Sequence, residues 1–192
     1  CYTENFEYSD YTSISEVSLF ETWVSNPTGE NDYNILDGSM IIFEDTDVVS
    51  NTPVFTTGSY SISFDLIINE GEGAYFGIGS VGNVEDWGWS YNAIFFADGT
   101  GTASTDGFLL PSEDDWSYEY GVVSVVVLVD LDLGEVSLQV NGDCVQTDSW
   151  LEPLGVVNFW GGGAPYTLNY YQVDNFELCP VDVANCVGCY DE

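Results

Sequence analysis

The sequence predicts an all-β fold, a two-sheet antiparallel sandwich of the jelly-roll type. Three observations predict it. Apolar residues recur at every second position over strand-length segments, Gly, Asp and Asn punctuate the chain at short spacing, and nothing reads as a long amphipathic helix. Many strands joined by such turns close into a sandwich or a jelly roll.

The clearest strand covers residues 60–68, with Tyr60, Ile62, Phe64, Leu66 and Ile68 facing one way. The Gly-rich turn Glu70-Gly71-Glu72-Gly73 follows, then a strand over 74–78. Residues 87–96 form another long strand, closed by the turn Asp98-Gly99. Residues 122–130 and 135–140 form a hairpin around Asp132-Leu133-Gly134, and Asn141-Gly142 marks the next tight turn. The last core strand runs over 170–179. Beyond it, residues 180–192 lack strand-length alternation and read as a tail that carries two cysteines. The chain thus divides into a sandwich domain over 1–179 and a tail over 180–192, with no internal repeat.

A chain of 192 residues, 45% hydrophobic and 16% aromatic, has ample material for one core. Its charge is one-sided: 33 acids stand with no Lys, Arg or His. Folding therefore proceeds without a Lys, Arg or His ion pair, which costs little, since surface pairs contribute only about 0–1 kcal/mol. The uncompensated repulsion costs more, and salt, bound cations or low pH ease it. Phosphate backbones call for Lys or Arg, so nucleic acid is excluded as a partner. Anionic membrane surfaces repel the chain, and no apolar stretch has the length of a membrane span, so membrane insertion is not expected.

Five cysteines without histidine argue against a typical zinc site. Cys186-Val-Gly-Cys189 is a C-x-x-C pair with no second pair of matching spacing. Cys1, Cys144, Cys179, Cys186 and Cys189 read instead as a disulfide set, implying an oxidising, extracellular or cell-surface setting. The odd count leaves one thiol unpaired, paired between molecules, or lipidated, with Cys1 the candidate for lipid. No signal peptide is visible, so the sequence is expected to start at or close to a mature end.

Several motifs occur in a familiar order. They are Glu4-Asn5-Phe6-Glu7, Glu21-Thr22-Trp23, Gly29-Glu30-Asn31-Asp32 and Gly58-Ser59-Tyr60-Ser61-Ile62-Ser63-Phe64. Gly71-Glu72-Gly73-Ala74-Tyr75-Phe76, Asp98-Gly99-Thr100-Gly101, Val129-Asp130-Leu131-Asp132, Val157-Asn158-Phe159-Trp160-Gly161 and Val173-Asp174-Asn175-Phe176 follow. Over residues 4–179 the chain resembles concanavalin A-like (laminin-G/MAM-like) jelly-roll domains of bacterial secreted and surface proteins exported by type IX secretion. The resemblance implies an adhesive or cell-wall-associated setting. It also implies that first and last strands are neighbours, which places Cys1 beside Cys179 as a disulfide. Such folds bind a structural ion where those strands meet. By that resemblance calcium falls to Glu7 and Asp174, with Asp32 and Asp37 in the loop that completes the shell.

Without His or Lys there is no Ser-His or Cys-His dyad and no Schiff base, so carboxylate chemistry alone remains. Glycosidases of the resembling fold carry a strand of the form E-x-D-x-x-E. The nearest match, Asp130-Leu131-Asp132-Leu133-Gly134-Glu135, departs at its first position and reads as a hairpin turn. Glu44-Asp45-Thr46-Asp47 and Glu113-Asp114-Asp115 read as solvated loops. Trp87, Trp89 and Tyr91 alternate on one strand face and, with Trp116, offer a sugar-stacking platform, although aromatics so spaced also build cores. Trp160-Gly161-Gly162-Gly163 reads as a strand end and loop without chemistry.

The expected function is therefore non-enzymatic: a secreted structural or adhesive subunit whose partners are copies of itself in an extracellular fibre, sheath or matrix. The alternative is a carbohydrate-binding module for extracellular polysaccharide, and an acid-only glycoside hydrolase stands third.

Overall fold

The computed structural model describes residues 1–10, 12–14, 18–24, 35–43, 46–50, 52–80, 90–105, 116–162 and 170–182, with backbone alone for 21–24. The described strands, in chain order, are β1 (Tyr2–Glu4), β2 (Phe20–Val24), β3 (Ile35–Leu36), β4 (Ser39–Phe43) and β5 (Asp47–Ser50). Then come β6 (Ser59–Ile68), β7 (Ala74–Gly79), β8 (Tyr91–Phe95), β9 (Thr100–Ser104) and β10 (Trp116–Ser117). β11 (Gly121–Asp130), β12 (Glu135–Val140), β13 (Asp143–Ser149), β14 (Val156–Trp160) and β15 (Tyr170–Pro180) complete the set.

They form two antiparallel sheets. One has the order β13-β12-β11-β6-β15-β4-β3, with β1 also paired to β15; the other has the order β10-β9-β8-β7-β14-β5-β2. The expected two-sheet sandwich is what the chain forms. Its core follows from the period-2 pattern. Ile62, Phe64, Leu66 and Ile68 of β6 point inward against Phe76 of β7, Phe95 of β8 and Phe159 of β14. Phe64 meets Phe76 and Phe159 edge-on, with centroids 5.1 and 5.0 Å away, the arrangement that ring quadrupoles favour. Each such buried ring stabilises the fold by about 1.5–3 kcal/mol relative to exposure.

The hairpin expected around Asp132-Leu133-Gly134 joins β11 to β12, and its tip explains the sequence there. Asp130 Oδ1 accepts the N–H groups of Asp132 (3.0 Å) and Leu133 (2.8 Å). Gly134 takes φ +74°, which an L side chain resists. The near match to a glycosidase strand is thus a capped turn. Cys1 and Cys179 form the disulfide that the neighbouring first and last strands imply, so Cys1 is not a lipidated or leftover thiol. Cys144 is disulfide-bonded as well, while Cys186 and Cys189 lie outside the described residues, as does most of the tail. Among the described residues no helix is long and apolar enough to cross a membrane.

The edge of β15 is shared. β4 pairs with it from Tyr170 to Val173, and β1 pairs with it from Phe176 to Leu178. The register against β6 shifts between Asp174 and Glu177. This bulge separates the two partners, and Asn175 turns there through φ 52°.

Candidate functional site

On the seven-stranded sheet, strand alternation sends every second side chain away from the core. Val157 and Phe159 point inward, so Asn158 points outward; by the same reasoning Asp47, Tyr75, Asn92, Ile94 and Trp160 share that outer face. Trp160 stands directly opposite Asp47. Asn158 stands opposite Gly77, which in turn stands opposite Asn92. Gly77 thus places no side chain in the row between two amides.

This outer face is not solvated. Asp47 is 4% exposed, Tyr75 2%, Asn92 6% and Asn158 0%, while Trp160 is half-buried. Buried polar groups require partners, and these have paired with one another. The Asn158 amide donates to Asp47 Oδ1 and to the Val48 carbonyl at 3.2 Å. The Tyr75 hydroxyl donates to Asn92 Oδ1. Tyr171, from the opposite sheet, sends its hydroxyl through to the Tyr75 carbonyl at 2.6 Å. Trp160 meets Tyr75 edge-on at 5.7 Å. One atom remains: Asn158 Oδ1 is buried with no hydrogen-bond partner. The amide cannot simply be turned round, because both neighbours of its nitrogen are acceptors.

Burial pushes the Asp47 carboxyl up to about 7, against the opposing pull of the Asn158 amide and the Val48 N–H. The hydroxyls of Tyr75 and Tyr171 are also raised, chiefly by burial and further by the charge of Asp47. Asp47 departs from the solvated-loop reading of residues 44–47, two of which, Glu44 and Asp45, lie outside the described residues: it begins a buried strand. Trp160, read as a strand end without chemistry, ends β14 on the same face.

Of the expected sugar platform, Tyr91 and Trp116 fall among the described residues. Tyr91 is fully buried with its ring in the core, so it has no face for a sugar, and Trp87 and Trp89 lie outside the described residues. Trp116 packs on Phe95 at 4.9 Å and lies over Gly101, where an added Cβ would come within 2.1 Å of the indole. Tyr118 and Tyr120 are tied to the neighbouring turn by hydroxyl bonds to the carbonyls of Phe96 and Ala97 (2.7 and 2.8 Å). These aromatics clamp the β8–β9 hairpin.

The expected metal residues gather at the β15 bulge without closing into a ligand set. Glu7 lies just past β1 instead of on it, its carboxylate 3.4 Å from where a Cβ on Gly38 would sit. Asp37, in the β3–β4 turn with φ 53°, donates its N–H to Asp10 Oδ1 at 3.0 Å. Asp174 is opposite Asp65, a residue that sequence reasoning passed over, and Asn175 Nδ2 bonds Asp65 Oδ2 at 2.9 Å. Burial raises the Asp174 carboxyl, and the carboxylates of Asp65 and Glu7 raise it further. Asp32 lies outside the described residues. Among the described residues, three acid or thiol ligand atoms come mutually within 4.8 Å only at Cys1, Glu177 and Cys179. There the two sulfurs are bonded to each other and offer no thiolate.

No protein-family model matches this chain, and no curated protein matches it. Solved structures do. A sialidase superposes on 94% of the chain with a TM-score of 0.59 at 13% identity; the match spans only 19% of the sialidase chain. The carbohydrate recognition domain of Emp46p, in its potassium-bound form, matches 90% of this chain and 93% of its own, with a TM-score of 0.57 at 10% identity. An endo-1,3-beta-glucanase from Streptomyces sioyaensis matches 93% of this chain and 94% of its own, with a TM-score of 0.58 at 13% identity. At these identities the likeness concerns the fold, a concanavalin A-like jelly roll.

Proposed function

We propose that this chain is a secreted, non-catalytic carbohydrate-binding module that takes its sugar on the outer face of the seven-stranded sheet, around Asp47, Asn158 and Trp160. One observation carries the reading. Asn158 Oδ1 is a buried acceptor without a donor, held on one sheet face with a carboxylate and an indole. Leaving such an atom unpaired costs about 1–3 kcal/mol, and a ligand N–H or O–H would recover that cost. Sugar sites combine such fixed amide and carboxylate groups with an aromatic surface. That the carbohydrate recognition domain and the glucanase share the fold supports the reading by analogy only. The assembling-subunit reading has no comparable observation behind it. Export by type IX secretion, and calcium at Glu7, Asp37 and Asp174, belong to the same proposal; the donors there are all hard oxygens, as calcium prefers.

Binding to a broad panel of immobilised glycans, followed by calorimetry on the hits, tests it. Asn158→Ala and Trp160→Ala should each weaken binding at least tenfold while leaving the circular dichroism spectrum unchanged. Failure of the unaltered protein to bind any glycan, or unchanged affinity in both variants, overturns the reading.

A further inference from the structure

Five cysteines occur in the chain. Cys1 and Cys179 are bonded to each other, and Cys144 is disulfide-bonded too. Its partner can only come from the tail, as Cys186 or Cys189.

Reach chooses between them. Cys144 lies on β13, an end strand of the eight-stranded sheet, four steps from β15, which leads into the tail. It stands opposite Gln139, and the row continues through Val126 and Ser63 to Glu177. Leu138 and Val140 point into the core, so Gln139 and Cys144 belong to the outer face. On that face the Cys144 sulfur lies 3.9 Å from Thr147 Oγ1. The chain leaves β15 at Val181, whose N–H bonds the Ser59 carbonyl at 2.9 Å. At about 4.8 Å per strand and 3.3 Å per residue, Val181 and Cys144 stand roughly 23 Å apart. A fully extended chain plus the span of a disulfide covers roughly 22–23 Å from Val181 to Cys186, and roughly 32–34 Å to Cys189. The first leaves no slack to clear the side chains it crosses. The second does.

A second observation marks the route. Ser61, Leu128, Ser137 and Thr147 form a row across the outer face, each opposite the next. Leu128 is nevertheless 7% exposed and Ser137 0%, and the Ser137 hydroxyl is buried with no hydrogen-bond partner among the described residues. Their neighbours in the row, Ser61 and Thr147, are small, so a further layer of chain is what shields them. Counted along the register, the straight path from Val181 to Cys144 crosses β11 at Leu128 and β12 beside Ser137. The tail carries apolar side chains for that cover in Val183, Ala184 and Val187.

We infer that the tail is a strap, which runs back over the outer face of the eight-stranded sheet, shields Leu128 and Ser137, and is fastened to β13 by a Cys144–Cys189 disulfide. Cys186 is then the one thiol of the chain. The strap closes this face to partners while the bridge holds. A dithiol reductant opens it: the reductant becomes a disulfide as Cys144 and Cys189 each take up a proton and become thiols.

Bond mapping tests the bridge. The chain offers trypsin no Lys or Arg, so the unfolded, unreduced protein is blocked with N-ethylmaleimide and cut with pepsin in acid, where disulfides do not exchange. Mass spectrometry is expected to find one maleimide per chain, on Cys186, and Cys144 joined to Cys189. A label on Cys189, or Cys144 joined to Cys186 or to a second chain, overturns the assignment. Hydroxyl-radical footprinting tests the cover. In the double variant Cys144→Ser with Cys189→Ser, oxidation of Leu128 should rise at least fivefold, while Leu138 in the core stays protected. Equal protection of Leu128 in variant and parent overturns the strap. Should that variant fail to fold, Val183→Asp with Val187→Asp, which keeps both bridges, must raise Leu128 oxidation instead, and no rise overturns the strap.

Discussion

Asp65 on β6 and Asp174 on β15 stand directly across from each other in the antiparallel ladder, two carboxylates paired at the edge of a bulge. Like charges so placed destabilise a sheet by a fraction of a kcal/mol up to about 1 kcal/mol. Asn175 relieves part of this by donating its side-chain N–H to Asp65 and its backbone N–H to Asp174.

Asp174→Asn is expected to raise stability at pH 7, low salt and in the presence of chelator, by about 0.5–1 kcal/mol. If calcium binds at this junction, added calcium reverses the order, because the variant loses a ligand while the unaltered protein gains one. Thermal melts with chelator and with calcium measure both. A variant less stable than the parent in chelator would refute the repulsion; an unchanged order in calcium would refute the ion.

Asp47 makes stability depend on pH. Its folded pKa, about 7, exceeds the ordinary 3.8. Below about pH 4 the carboxyl is protonated whether folded or unfolded and costs nothing. Between about 4 and 7 the unfolded chain ionises while the folded one holds its proton, so stability falls as pH rises. Above 7 the loss is complete. At about 1.4 kcal/mol per pH unit the total is about 4 kcal/mol. Relief of repulsion among the 33 acids acts in the same direction. Asp98, exposed and held below its usual range by Thr100, opposes it weakly. The melting temperature should therefore be higher at pH 4 than at pH 8 in low salt, and Asp47→Asn should flatten most of the slope. A melting temperature that climbs with pH would refute this.

Replacing Cys1 and Cys179 together by Ser opens a loop of 178 residues. Chain entropy places the loss at about 5 kcal/mol. Urea unfolding of the oxidised variant and parent measures it, and equal midpoints would mean that the three residues of β1 hold to β15 unaided.

Gly101→Ala puts a methyl group into the Trp116 indole. Overpacking of this kind costs about 1–3 kcal/mol. The near-ultraviolet circular dichroism should change as the ring is displaced from Phe95 and Tyr118. No change in either stability or spectrum would show that the ring moves aside without cost.

Strands with regular alternation between clear turn residues were legible in the sequence. β6, β7 and the β11–β12 hairpin occupy the expected residues within one position at each end, because their alternation is clean and their turns carry Gly, Asp or Asn. Asp47 was not legible. It follows two acids in sequence and looks like part of their loop; only its pairing with β14, more than a hundred residues away, makes it a buried strand residue. Asn158 and Asn92 were hidden for a related reason. A polar residue alternating with core residues reads as facing water, and nothing local tells that the outer face is buried as well. Asp65 is likewise ordinary along β6 and becomes telling only opposite Asp174. Adjacent chemistry could be read; chemistry assembled across the sheet could not.

The bridge between Cys1 and Cys179 also governs how the molecule carries load. Tension applied between Cys1 and the chain beyond Cys179 passes through one covalent bond and leaves the ladders unstressed. Some 178 residues, about 600 Å of extended chain, are locked out of the line of force. Under shear the oxidised protein behaves as a short, stiff link. A reductant turns it into an extensible one, in which β1, with three residues zipped along β15, is the first strand to take the strain.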